Sequence, residues 1–156
     1  MLNIHIRYGF TIAFFLVAFF LTMKLFGLHQ YPVFSIFNAV LFGGGIYRAT
    51  QHHRRTNPKS KYQDLWQAGF MSGAVATLVF TAFMAFYMYQ IDSVFAATIL
   101  DSWNVNYNTG VLTILFSMVL MGLSTSVVCA LTFMQRFKRS WNTSKRVDLQ
   151  SSTLNS

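Results

Sequence analysis

Four apolar stretches run along this chain of 156 residues, separated by polar segments of very different charge. From Tyr8 to Leu28 the run is broken only by Thr11, Thr22 and Lys24. About 20 residues of helix cross a hydrocarbon core of roughly 30 Å, so this run predicts a membrane-spanning helix. A second, shorter run starts at Val33, a third extends from Leu65 to Tyr89, and a fourth from Val111 to Phe133. The pattern predicts helices over about 8–28, 33–49, 65–89 and 111–134 in one transmembrane unit, 1–139, followed by a polar, flexible tail, 140–156. The expected fold class is all-α, an integral membrane four-helix bundle.

Composition agrees with that class. The chain is 54% hydrophobic and only 10% charged, against about 25% charged in ordinary soluble domains. The formal net charge of +8 would raise the question of nucleic acid in a soluble protein. Here the basic residues gather in two places, so no nucleic-acid partner is expected. Arg48, Arg54, Arg55, Lys59 and Lys61 lie between the second and third runs; Arg136, Lys138, Arg139, Lys145 and Arg146 follow the fourth. The first connection holds only Lys24, and residues 90–110 hold no Lys or Arg. The positive-inside rule then predicts both termini in the cytoplasm of a cell with this protein in its inner membrane, and a basic face that attracts anionic lipid. Tyr8, Tyr47, Trp66 and Trp141 would form the inner aromatic belt and Tyr31, Tyr87, Tyr89 and Trp103 the outer one.

Small residues recur at four-residue spacing within the runs. Ala39 and Gly43 stand four apart, Gly43 opening the triplet Gly43, Gly44 and Gly45; Gly69, Gly73, Thr77 and Thr81 form one ladder; Gly122, Ser126 and Ala130 form another. Such ladders let helix backbones approach closely in lipid, so these positions are expected to serve helix packing. The triplet also admits a second reading, a locally unwound helix beside a ligand site. Among the polar residues within the spans, Asn38, Thr81, Ser124 and Thr125 are the intramembrane polar candidates. Asp64 and Gln67 resemble a capping box at the start of the third helix. Ile91, Val94, Phe95, Ile99 and Trp103 recur near helical period, predicting a short amphipathic helix in the outer loop with Asp92 or Ser93 as its cap. Lys24 would snorkel to the headgroups.

The third-helix stretch KYQDLWQAGFMSGAVATLVFTAFMAFYMYQID has an acidic entry, a small-residue ladder and an aromatic exit into an Ile-Asp pair. It resembles the bacterial four-helix membrane family known as domain of unknown function 4199. The order of two helices, a basic segment, this helix, a long outer loop and a last helix with a basic end agrees with that family. The resemblance implies an inner-membrane location and carries no catalytic residue.

Nothing in the residues points to an enzyme. The chain has no Glu, no HExxH, no G-x-S-x-G and no P-loop, since Gly43–Gly45 is not followed by Lys-Ser/Thr. His52 and His53 are adjacent, but no neighbouring Cys or carboxylate completes a metal shell, and a solvated loop is expected. Neither cofactor nor metal is expected. The reading is therefore a non-enzymatic accessory or scaffold subunit, working through helix contacts with a membrane-protein partner. The alternative is a small homo-oligomeric channel or transporter that uses the polar stripe of helices 2 to 4.

Overall fold

A computed structural model of the chain describes residues 2–27, 35–57, 60–93, 95, 97, 100 and 106–137. Four long helices account for most of them: α1, Leu2–Leu25; α2, Ser35–Thr56; α3, Tyr62–Phe86; and α4, Tyr107–Arg136. No strand occurs among the described residues. The central element is α3, which packs extensively on α4 and α1; α2 leans on the other three.

Three helices are long and apolar enough to cross a membrane: His5–Leu25, Tyr62–Ile91 and Thr109–Arg136. The expected second span, 33–49, is not among them. The reason is composition, since the second half of α2 carries Arg48, His52, His53, Arg54 and Arg55. Residues 31–34, part of the apolar lead into the expected second span, lie outside the described residues, as do Lys59, Lys138, Arg139 and the tail 140–156.

The basic segment differs from the expected loop. Helix α2 continues through it to Thr56, and Asn57 N–H still reaches the His53 carbonyl at 2.9 Å. Arg48, Arg54 and Arg55 therefore ride on a helix, and only a short link separates them from α3. That link ends at Lys61, whose N–H donates to Asp64 Oδ2 at 2.8 Å. Asp64 is thus in the first turn of α3, which begins before the expected start at Leu65 because this carboxylate satisfies a free backbone donor. The glycine triplet is helical throughout. No unwinding occurs there, so the triplet does not open a site.

Two apolar cores hold the bundle. Ile12, Ala13 and Leu16 of α1 meet Phe42 and Ile46 of α2 and Ala76 of α3 in the first. The second gathers Met84, Tyr87, Met88, Leu100 and Val111. Tyr87 is 1% exposed and packs edge-on to Phe20 and Phe95, so it belongs to the core rather than to an interfacial belt. Large apolar side chains also cover the outside: Phe14 is 69% exposed and Met121 71%. In water such a surface would be an association hazard; against lipid tails it carries no penalty.

After Phe86 the chain takes a wider π turn, Tyr87–Ile91, closed by Asp92 N–H on the Tyr87 carbonyl at 3.0 Å. Asp92 Oδ1 then accepts the Phe95 N–H at 2.9 Å, the bond of a helix N-cap, and Ser93, Phe95, Ala97 and Leu100 are helical. Leu100 is 3% exposed, so this segment folds onto the bundle. Trp103 lies outside the described residues.

Candidate functional site

The ladders of α3 and α4 meet partners within one copy of the chain. A Cβ at Gly69 would meet Thr50 and Ala130; at Gly73, Ser126 and Ile46; at Gly122, Thr77; and at Gly45, Ile12. These glycines bring α3 against α4 and α2, and α2 against α1. Gly43 has only Cys129 Sγ within reach at 3.8 Å, and Gly44 faces open space, so of the triplet Gly45 alone is tightly enclosed. Gly9, on which the sequence pattern gave no signal, is enclosed by Val75 and the Ser72 carbonyl.

Where α2 and α4 diverge over α3, a crevice of about 290 Å³ remains. Its walls are Leu16 of α1, Asn38, Ala39 and Phe42 of α2, Thr77, Phe80 and Thr81 of α3, and Met118, Met121, Gly122 and Thr125 of α4. Ala39, Met121 and Thr125 are exposed and form its open side, whereas Thr77 and Thr81 are buried at its floor. The fold thus brings Asn38, Thr77, Thr81 and Thr125 together. Ser124 is exposed and does not line the crevice; Ser126 is buried behind it, bonded to the Gly122 carbonyl at 2.7 Å.

Hydrogen bonding sets this place apart. Thr11, Thr22, Thr50, Thr56, Thr113, Thr125 and Thr132 each donate to the carbonyl four residues earlier, the usual resort of a helical threonine. Thr77 and Thr81 do not: their hydroxyls, and Asn38 Oδ1, are buried without a hydrogen-bond partner. An unsatisfied buried polar group costs about 1–3 kcal/mol. Asn38 Oδ1 is an acceptor and the Thr77 and Thr81 hydroxyls both donate and accept, so this one surface presents unused hydrogen-bonding capacity of both kinds.

Polar clusters lie near the two ends of the bundle. At one, Lys24 Nζ sits 3.1 Å from Asp92 Oδ2 and 4.5 Å from the centre of the Tyr87 ring. Tyr87 Oη donates to the same carboxylate at 3.1 Å. Lys24 is therefore paired within the chain instead of reaching outward as expected, because the π turn carries Asp92 to it. The Phe95 N–H and then Lys24 hold the Asp92 carboxyl below the ordinary carboxylate range. At the other end His53 is buried beside His5, and His52 lies against Tyr8 with ring centres 5.5 Å apart. Burial pushes the His53 imidazole below its ordinary value, against the pull of Asp64. His53 is thus not the solvated loop residue that the sequence suggested, since α2 stays helical and turns it onto α1.

Residues 7–107 match the family described as Protein of unknown function (DUF4199). The chain belongs to that family. The matched region takes in most of α1, all of α2 and α3, the π turn and the segment after it, and stops at the first residue of α4. Asn38, Thr77 and Thr81 thus fall inside the family region, while the α4 wall of the crevice falls beyond it. No curated protein and no solved structure matches the chain.

Proposed function

We propose that this family member is a multi-pass inner-membrane protein, both termini cytoplasmic, acting as a non-enzymatic accessory subunit. Its crevice between α2 and α4 receives a transmembrane segment of a partner protein. One observation carries this reading: three buried, unpartnered polar atoms line a cavity that opens sideways, between helices with apolar outer faces. A bilayer supplies no hydrogen bonds at that depth, whereas a partner helix bearing a hydroxyl or amide would supply them. The surrounding Met118, Met121 and Phe42 suit such an occupant, since methionine adapts its shape to irregular apolar surfaces. The basic residues Arg48, Arg54 and Arg55 along the far half of α2 would then meet anionic headgroups.

The alternative, a homo-oligomeric channel, draws less support. Thr77, Thr81 and Ser126 are 5%, 9% and 0% exposed within a single copy, so a pore lined by them would require the helices to part. Gly69 and Gly73 likewise serve contacts inside the chain.

The test is photo-crosslinking in native membranes from a reactive side chain placed at Thr125, on the rim. A stoichiometric adduct with one other membrane protein, lost in Asn38→Leu and Thr81→Val, is expected. Adducts with lipid alone would overturn the partner reading. A ladder of self-adducts would move the channel ahead, and liposome flux abolished by Asn38→Leu would then be its own test.

A further inference from the structure

The end of the bundle where α1 begins and α2 finishes holds a feature that partner binding does not use. His5 on α1 and His53 on α2 are 6% and 5% exposed, with ring centres 5.2 Å apart and planes tilted by 40°. One nitrogen of each ring, Nδ1 of His5 and Nε2 of His53, is closed to water and has no hydrogen-bond partner, so these two nitrogens do not bond each other. A neutral imidazole tolerates such a place, because it carries a single proton and can hold it on its other nitrogen. An imidazolium has an N–H at both nitrogens. A proton taken up by His53 would therefore create a buried donor without an acceptor, and a charge without water, beside a second ring.

We infer that His53 is an acid-released latch: neutral, it seals the end of α2 onto the start of α1 at His5, and on taking up a proton it lets the two helix ends part. The groups around it do not rescue a charged ring. On α1, His5 gives it no bonded acceptor, and the chain's amino terminus repels it. On α3, Asp64 attracts it, but Asp64 Oδ2 accepts the Lys61 N–H at 2.8 Å, and no bond joins the carboxylate to the buried His53 nitrogen. On α2 itself, His52 opposes the charge, and Arg54 is turned toward the Ser60 carbonyl at 3.4 Å. Burial outweighs Asp64, so the docked ring titrates below its ordinary value. The direction of the response follows. Above the ordinary histidine value of about 6.5 the ring is neutral whether the ends are docked or parted, and the latch is indifferent to pH. Below it the parted state holds a proton that the docked state does not. The docked-to-parted ratio then falls by up to about tenfold per pH unit, until the pH reaches the lowered value. The adjacent His52 is exposed against Tyr8 and stands outside the latch.

The experiment is amide hydrogen exchange of the full chain in detergent micelles, read by mass spectrometry and corrected for the intrinsic pH dependence of exchange. Between about pH 7.5 and about pH 5.5, protection over residues 6–12 of α1 and 50–56 of α2 should fall by about threefold to tenfold, the range open to one histidine that titrates near 6.5 when parted. Protection over 72–84 of α3 should hold. His53→Phe keeps a buried ring that takes no proton, so its protection should not change with pH, whereas His52→Ala should respond as the wild type does. Constant wild-type protection overturns the inference, and so does rising protection, which would mean that the two rings share the proton. A response that survives His53→Phe, is lost in His52→Ala, or spreads equally to α3 overturns it as well. Should His53→Phe fail to fold by circular dichroism, the wild type answers through nuclear magnetic resonance titration of its histidine rings. A His53 midpoint below that of His52 supports the latch, and an equal or higher one overturns it.

Discussion

Replacing Gly73 by Ala adds one methyl group where α3 crosses α4. The new Cβ would lie 2.8 Å from Ser126 Cβ and 2.9 Å from Ile46 Cδ1, with Ser126 Oγ closer still. The hydroxyl could swing away from its bond to the Gly122 carbonyl, but the Ser126 Cβ is fixed to the backbone. Ordinary contact begins at 3.4 Å, so the helices must part by roughly 0.6 Å or distort. Overpacking of this kind costs about 1–3 kcal/mol. Alanine also has about 1 kcal/mol more helix propensity than glycine, which offsets part of that loss. Gly44→Ala isolates the steric cost, because Gly44 is also inside a helix and a Cβ there meets nothing within 4 Å. The propensity contribution is common to both variants and cancels in their difference. Gly73→Ala should therefore be less stable than Gly44→Ala by about 1–3 kcal/mol. Unfolding of each in mixed micelles with increasing sodium dodecyl sulfate, followed by far-ultraviolet circular dichroism, measures that difference. Equal stability of the two variants would refute the close α3–α4 contact at Gly73.

The remaining predictions concern the polar groups. Because the folded state lowers the Asp92 pKa, its stabilisation is present above the ordinary carboxylate value and is lost as pH falls through the lowered one. The acid limb of a stability–pH curve should be shallower in Asp92→Asn than in the wild type; identical curves would show that the Lys24–Asp92–Tyr87 cluster adds nothing. Thr81→Val removes an unpartnered hydroxyl at nearly constant shape, so stability without a partner should hold or rise by up to about 1–3 kcal/mol. The same change at Thr50, whose buried hydroxyl donates to the Ile46 carbonyl at 3.0 Å, should lower stability by about 1 kcal/mol. Equal losses at the two positions, in the same detergent titration, would mean that the Thr81 hydroxyl is satisfied after all.

The four-residue ladders gave the helix faces but not their partners. Gly69, Gly73 and Gly122 stand on close-contact faces because a backbone can approach only where side chains are small, and that requirement is visible in spacing alone. The same spacing marks Gly43, which meets only Cys129 Sγ at 3.8 Å. A period of four identifies a stripe, whereas the neighbour depends on how far each helix is rotated toward the others. The extent of α2 was misread for a related reason. Charged residues in an apolar chain suggest a loop, yet Arg and Gln are good helix formers, and the helix continued to Thr56.

From its sequence alone, this chain is helical in long runs, several of them apolar enough to cross a membrane, because apolar run length depends only on local composition. Which polar groups meet is a different matter. Asn38 with Thr77 and Thr81, Lys24 with Asp92, and His5 with His53 come together only when helices pack at particular rotations and the π turn redirects the chain. Those rotations are set by many small contacts between distant residues, from Gly9 on Val75 to Gly110 on Leu100. No single segment encodes them, so the crevice and both end clusters belong to the tertiary structure.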